Sequence, residues 1–150
     1  MLKLDKDNNS NKLRSLAAWR SACHKYGMTE KILIIDDEEQ IADAYKEFLT
    51  SLGYQVDCAQ EVEEAETLLA HFSYSVVITD LRLSKLEFGG LNLVKHIREL
   101  SLKTRIIVVT GYGWPELKAE ASAHQVDAFV NKPIRLSELA KTVGSFTGRA

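Results

Sequence analysis

The chain has few of the residues that mark specialised classes of protein. Its 150 residues include only two prolines and two cysteines. Cys23 and Cys58 form no CxxC pair, so the sequence indicates free thiols in a reducing compartment rather than a disulfide framework. No apolar run approaches the ~18 residues of a membrane span, and no charged-then-apolar leader opens the chain. We therefore expect a cytoplasmic protein without membrane contact.

A large excess of basic charge is also missing. The formal net charge of -2 gives no reason to expect general nucleic-acid binding. The average hides an asymmetry, because residues 1–28 carry six Lys/Arg and two Asp, a balance of +4. The remainder carries 13 basic and 19 acidic residues, a balance of -6. A basic segment therefore precedes an acidic body.

The composition is that of an ordinary globular protein, with 45% hydrophobic and 27% charged residues. A chain of this length suits one domain with its own core. Apolar residues with helical spacing occur at 13–26, after a polar start. We expect a tail with a short helix at 1–28, a folded domain at 29–147 and a C-terminal tail at 148–150.

From residue 31 onward, short apolar runs alternate with segments of helical apolar spacing. Continuous runs such as "KILII" are typical of strands buried on both faces of a parallel sheet. The predicted strands lie at 31–35, 54–58, 75–80, 105–110 and 126–130. The predicted helices lie at 38–52, 61–72, 91–100, 115–124 and 135–146. This alternation predicts an α/β fold, a doubly wound five-stranded parallel sheet with helices on both faces.

Polar residues collect where the predicted strands end. Asp36 and Asp37 follow the first strand, and Asp80 ends the third. Thr110 ends the fourth, and Lys132 lies just past the fifth. In an open α/β sheet the carboxyl ends of the strands share one edge, where ligands bind. The sequence therefore predicts three carboxylates, one hydroxyl and one ammonium group at a single site.

These groups fit phosphoryl transfer onto the protein itself. Three carboxylates are hard ligands suited to Mg²⁺, and the metal offsets their mutual repulsion. An ionised carboxylate can then approach an anionic phosphate and act as a nucleophile, which gives an aspartyl-phosphate. Lys132 would neutralise charge on the transferring oxygens, and the Thr110 hydroxyl would donate a hydrogen bond to one of them.

The motifs "ILIIDDEE", "VVITD", "IIVVTG" and "FVNKP" resemble those of the response-regulator receiver domains of two-component signalling, here of the single-domain type. The resemblance covers residues 31–147 and implies a flavodoxin-like sheet of strand order 2-1-3-4-5. It implies a sensor histidine kinase or a histidine phosphotransfer protein as the phosphoryl donor. Such a chain is a Mg²⁺-dependent phosphoacceptor and not a conventional enzyme, since it catalyses only its own phosphorylation and dephosphorylation.

The resemblance assigns a role to each motif residue in turn. Asp80 is the phosphoacceptor and also contacts the metal. Asp37 would ligate Mg²⁺ directly, Asp36 mainly through water, and Arg82 through its backbone carbonyl. Lys132 and Thr110 would assist the transfer.

A switch is implied as well. Thr110 and Phe129 match the pair in which the hydroxyl moves to the phosphate and the aromatic ring turns inward. The bond between Lys132 and Pro133 is expected to be cis, an isomer realistic only before proline. Phe129 has no hydroxyl, so its packing can switch without a phenolic hydrogen bond. Ser84 and Gly111 also depart from the usual family residues, proline and alanine respectively.

Other polar and aromatic residues have plainer interpretations. Glu38 and Glu39 are assigned to favourable charge at a helix N-terminus. The four histidines are interpreted as surface or boundary residues, and Cys58 as a packing residue. Trp114 either anchors a partner or packs on its own helix, and both readings stay open.

Output would run through protein contacts. The 115–124 helix, the 126–130 strand and the 135–146 helix form the expected face for a downstream protein. Only three residues follow Thr147, so we expect no output domain here and no direct DNA binding. One alternative is the receiver piece of a larger hybrid kinase or phosphorelay, and another is a phosphorylation-independent scaffold. A third, a hydrolase with an Asp nucleophile, would normally need a D-x-D arrangement.

Three roles stay open for the predicted 13–26 helix: docking on the domain, homodimerisation, or the end of an upstream element. The charge asymmetry adds the hypothesis that residues 1–26 lie against the acidic edge of the domain and regulate access. Removing those residues tests it. An unchanged phosphorylation rate and an unchanged oligomeric state would contradict it.

Overall fold

The computed structural model describes residues 30–83, 89–111 and 115–148. Its strands are β1 Lys31–Ile35, β2 Gln55–Ala59, β3 Val76–Thr79, β4 Arg105–Thr110 and β5 Ala128–Asn131. Its helices are α1 Glu39–Ser51, α2 Val62–His71, α3 Gly89–Leu100, α4 Pro115–Ala123 and α5 Leu136–Thr147. The strands form one parallel sheet in the order β2-β1-β3-β4-β5. The predicted α/β fold and strand order are therefore confirmed, whereas the predicted 13–26 helix, Ser84 and Trp114 lie outside the described residues.

The sheet carries a hydrophobic core on each face. On one face, Leu33, Ile35, Val77 and Val108 pack with residues of α2, α3 and α4. On the other, alternate residues of the same strands pack against α1 and α5. Because side chains alternate along a strand, both faces need apolar residues, which explains continuous runs such as "KILII".

Several helices begin or end where proline or glycine occurs in the sequence. Gly53 follows α1 with φ 96, the left-handed conformation that glycine adopts without strain. Pro115 is the first residue of α4, where its missing N–H costs nothing. Gly148 ends α5 with φ 74. These three residues therefore mark where a helix ends or begins.

The fifth strand is shorter at its start and longer at its end than predicted. It was expected at 126–130 but spans Ala128–Asn131. The side chain of Asp127 accepts the Ile106 N–H at 2.8 Å and an Arg98 N–H at 2.9 Å. Since a side-chain oxygen takes the place of a backbone carbonyl here, regular strand pairing begins after Asp127.

The third helix begins earlier than predicted. Glycine is a poor helix former, so Gly89 and Gly90 were expected in the loop before a helix at 91–100. They form the first turn of α3 instead. The Gly90 N–H donates to the Leu81 carbonyl at 3.1 Å, which brings this turn against the chain that follows β3. Tertiary contact therefore overrides helix propensity at this point.

No helix among the described residues is long and apolar enough to cross a bilayer.

Cys58 on β2 is a free, half-buried thiol, as predicted, and its sulfur donates to the Ala42 carbonyl at 3.8 Å. Burial raises the pKa of Cys58 to about 11. Roughly a hundredfold less thiolate forms at neutral pH than in an ordinary cysteine, partly offset by the higher nucleophilicity of a more basic thiolate. We expect iodoacetamide to label Cys58 roughly tenfold more slowly than a free cysteine peptide. Peptide mass mapping measures this rate, and equal rates would contradict the prediction.

Candidate functional site

Four of the predicted site residues lie at the carboxyl edge of the sheet. Asp36 follows β1, Asp80 follows β3, Thr110 ends β4 and Lys132 follows β5. Asp36, Asp80 and Thr110 are only 3%, 8% and 8% exposed. Buried carboxylates are costly unless they are paired, so their partners determine what the site can do.

One ammonium group bridges the two buried carboxylates. The Lys132 Nζ donates to Asp36 Oδ2 at 2.7 Å and to Asp80 Oδ2 at 3.0 Å. These residues are 96 and 52 positions from Lys132 in the chain, so the fold alone brings the three groups together. Charge-assisted hydrogen bonds of this length hold both carboxylates in a fixed orientation.

Backbone amides hold the other oxygen of each carboxylate. The Glu38 N–H donates to Asp36 Oδ1 at 2.9 Å, and the Arg82 N–H donates to Asp80 Oδ1 at 3.0 Å. Asp36 and Asp80 are therefore held in the same way, each between a backbone N–H two residues onward and the shared ammonium. Arg82 is exposed, and the role predicted for its carbonyl stays a prediction.

The ammonium is strongly stabilised in its charged form. Burial by itself disfavours the charge on Lys132, but the hydrogen bonds that Lys132 donates to Asp36 and Asp80 outweigh this and raise the pKa of Lys132 above its ordinary value. A raised lysine pKa leaves the stabilisation intact below about pH 10, so Lys132 keeps its positive charge throughout the neutral range.

Two more carboxylates, those of Asp37 and Glu38, lie beside Asp36. Oxygens of Asp36, Asp37 and Glu38 all lie within 4.8 Å of one another, with Asp37 and Glu38 exposed. Glu38 precedes α1 but makes no side-chain cap hydrogen bond, and its Oε1 is 4.0 Å from the Lys132 Nζ. The sequence pattern assigned Glu38 only a role at the helix N-terminus. Its position directly after Asp36 and Asp37 was the one sign that its carboxylate lies near Lys132.

The predicted switch residues occupy neighbouring strands. The Thr110 carbonyl accepts the Lys132 backbone N–H at 3.0 Å, which ties the end of β4 to the bridging lysine. Phe129 is half-buried in β5, and the Lys118 Nζ lies 5.4 Å from its ring centroid. The bond between Lys132 and Pro133 is cis, as predicted. Nothing in the sequence pattern pointed to Lys118.

The response regulator receiver domain model matches residues 32–144, which is most of the chain. The response regulator protein PilR of Pseudomonas aeruginosa is 30% identical over 77% of this chain. The match covers 26% of PilR, so the chain spans about a quarter of that relative's length.

Two solved structures show the same fold. A CheY-like receiver domain protein from Methanospirillum hungatei has a TM-score of 0.76 at 26% identity, covering 80% of this chain and 94% of its own. A response regulator from Burkholderia pseudomallei, with a phosphorylated aspartic acid, a calcium ion and citrate, has a TM-score of 0.71 at 26% identity. The match covers 79% of this chain and 69% of that one. By its sequence match and its fold, the chain belongs to the response regulator receiver domain family of two-component signalling.

Proposed function

We propose that this chain is a Mg²⁺-dependent phosphoacceptor and that Asp80 receives the phosphoryl group from a histidine kinase or a phosphotransfer protein. The observation that carries the proposal is the ammonium of Lys132, hydrogen-bonded to Asp80 at the carboxyl edge of the sheet. It presents a fixed cation beside a fixed, nearly buried carboxylate. The related Burkholderia pseudomallei protein with a phosphorylated aspartic acid supports this assignment.

The donor set fits a divalent cation. Carboxylate oxygens are the ligands that Mg²⁺ prefers, and the oxygens of Asp36, Asp37 and Glu38 lie close enough to surround one ion. Asp36 and Asp37 are the proposed ligands, with Asp80 and the Arg82 carbonyl completing the set from the β3 side. When bound, Mg²⁺ would neutralise charge on the phosphoryl oxygens.

The residues of the chain supply the remaining chemistry. An Asp80 carboxylate oxygen forms a bond to phosphorus as the phosphorus–nitrogen bond of the donor phosphohistidine breaks, and the leaving imidazole keeps the electron pair. Lys132 faces the transferring oxygens with a permanent positive charge. Thr110 would donate its hydroxyl to one of them, drawing the end of β4 toward Asp80.

Output would follow from that movement. Thr110 and Phe129 lie on adjacent strands, and Phe129 packs beneath α4, within reach of Lys118. A shift of Thr110 and of the Phe129 ring would alter the face formed by α4, β5 and α5, where a downstream protein would bind.

The free thiol of Cys58 fits a cytoplasmic setting, where such phosphoryl donors and thiol-reducing conditions coexist.

Intact mass after incubation with Mg²⁺ and acetyl phosphate tests the proposal. We expect one added phosphoryl group on the wild-type chain, and none when Mg²⁺ is chelated or when Asp80 is replaced (Asp80→Asn). Asp43→Asn, which removes an exposed carboxylate from α1, serves as the matched control and should label normally.

If no adduct forms, binding of a stable phosphoryl mimic decides the matter. Binding that needs Mg²⁺ and Asp80 indicates strict kinase dependence or rapid dephosphorylation. Failure to bind would overturn the phosphoacceptor proposal and favour a phosphorylation-independent scaffold. Hydrolysis of a small phosphoester over many catalytic cycles would favour a hydrolase. The family assignment argues against that outcome.

A further inference from the structure

A groove of about 570 Å³ opens at the edge of the sheet opposite the carboxylates. The starts of β3 and β4, with the residues just before them, form its floor. The ends of α2, α3 and α5 form its walls. The lining residues that matter here are Glu30, Leu69, Phe72, Tyr74, Leu100 and Phe146. The groove is thus separate from the proposed phosphoacceptor site.

Exposed apolar side chains are among the lining residues of the groove. Phe72 and Leu100 are 47% and 54% exposed, whereas Tyr74 beside them is buried. A single exposed apolar residue needs no explanation. Two large ones line this groove together with Leu69 and Phe146, which suits an apolar partner. The Lys31 Nζ lies 3.5 Å from the Phe72 ring centroid, so one face of that ring is already covered.

The chain itself enters the domain at this groove. Glu30, which directly precedes β1, is one of the lining residues. Only residues 27–29 separate Tyr26 from Glu30. Fully extended, that link spans about 14 Å, which is the farthest that Tyr26 can lie from Glu30. A tether this short gives an effective concentration in the millimolar range, which favours even a weak contact.

The segment before that link carries an apolar stripe. Leu16, Trp19, Cys23 and Tyr26 are spaced three, four and three residues apart, so in a helix over residues 13–26, which would be about 21 Å long, they would share one face. We propose that residues 13–26 form an amphipathic helix that places this stripe in the groove of the same chain, against Phe72 and Leu100. Helix-in-groove recognition of this kind depends on apolar anchors at helical spacing.

Charge distinguishes this docking from binding to the acidic edge of the domain, the edge of the sheet that carries Asp36, Asp37 and Asp80. The segment contributes Arg14, Arg20 and Lys25, but the charged residues lining the groove are Glu30, Lys103 and Arg105. The contact therefore gains nothing from net charge, and salt should not weaken it. A basic segment held by the acidic edge would be released as salt screens the attraction.

Cys23 lies in the middle of the stripe and provides a direct readout. We expect maleimide to label Cys23 in the full chain at least tenfold more slowly than in a peptide of residues 1–29. The protection should be the same in low salt and in 0.5 M NaCl, and at every protein concentration. Peptide mass mapping separates Cys23 from Cys58, whose labelling serves as an internal reference.

Matched variants locate the contact. Leu100→Glu puts a charge in the groove, and Trp19→Ala shortens the stripe. Each should raise Cys23 labelling to within about threefold of the peptide rate. Leu52→Glu changes a leucine of similar exposure outside the groove, and Arg14→Ala changes the opposite side of the predicted helix. Both should leave the protection intact.

Four outcomes would overturn the proposal. Labelling at the peptide rate means that the segment is not docked. Protection that rises with protein concentration assigns the groove to a second copy of the chain, and protection lost in salt assigns the segment to the acidic edge. Protection that survives both Leu100→Glu and Trp19→Ala places the segment elsewhere. Thermal unfolding of each variant confirms that the domain is folded, and Trp19→Ala leaves the domain itself unchanged.

Discussion

Replacing Lys132 with methionine should reduce phosphoryl uptake by roughly a hundredfold or more, and should lower the free energy of unfolding by about 3 kcal/mol. Both effects follow from one geometry, because the same ammonium holds Asp36 at 2.7 Å and Asp80 at 3.0 Å. Methionine has a similar volume but leaves two nearly buried carboxylates facing each other without a cation. Urea unfolding without Mg²⁺ and acetyl phosphate labelling with Mg²⁺ measure the two effects separately.

A double-mutant cycle tests the physical cause of the lost stability. Adding Asp36→Asn to Lys132→Met removes one of the two negative charges that repel each other. The double variant should therefore be more stable than Lys132→Met alone. Lys141→Met, at an exposed position on α5, is the matched control and should change stability by less than about 0.5 kcal/mol. Equal urea midpoints for the wild type and Lys132→Met would show that the bridge contributes nothing to folding.

Replacing Gly90 with alanine should destabilise the domain by about 2 kcal/mol and impair phosphorylation. Helix propensity alone predicts the opposite sign, since alanine in a helix is favoured over glycine by about 0.5–1 kcal/mol. A Cβ at Gly90, however, would lie 2.0 Å from the Asp80 carbonyl oxygen and 2.5 Å from the Leu81 Cα. These are backbone atoms, so either α3 or the chain carrying Asp80 must move.

Gly111→Ala is the control for this substitution. Among the described residues, a Cβ there would meet only the Lys132 Cβ at 3.9 Å, an ordinary contact, although Gly111 directly follows Thr110 of the site. It should unfold at nearly the wild-type urea concentration and still accept a phosphoryl group. If Gly90→Ala were as stable as wild type and fully active, close packing of α3 on Asp80 and Leu81 would not constrain the site.

The sequence predicted the fold wherever burial alone decides local structure. The first strand was predicted at 31–35 and spans Lys31–Ile35, because the part of it that is covered on both faces, residues 32–35, is apolar throughout. The start of β5 was wrong because the side chain of Asp127 replaces a backbone acceptor, which hydrophobic pattern does not report. The start of α3 was wrong because Gly90 contacts Leu81 across the intervening loop, and helix propensity does not report such a contact.

The site was predictable to the level of residue type and sheet edge, but not to the level of individual bonds. Asp36, Asp80 and Lys132 could be placed together because parallel strands end on the same side. That a single ammonium joins both carboxylates depends on side-chain rotamers, which the sequence does not reveal. The same holds for Glu38, whose carboxylate extends toward Lys132 instead of capping α1.

The uniform direction of the strands has a practical consequence. Because all five run the same way, the chain enters β1 at one edge of the sheet and presents Asp36 at the other. Five strand residues at about 3.3 Å each separate those two points by roughly 16 Å. A fluorophore attached at Glu30 therefore starts at the edge of the sheet opposite the one that a phosphoryl donor must approach.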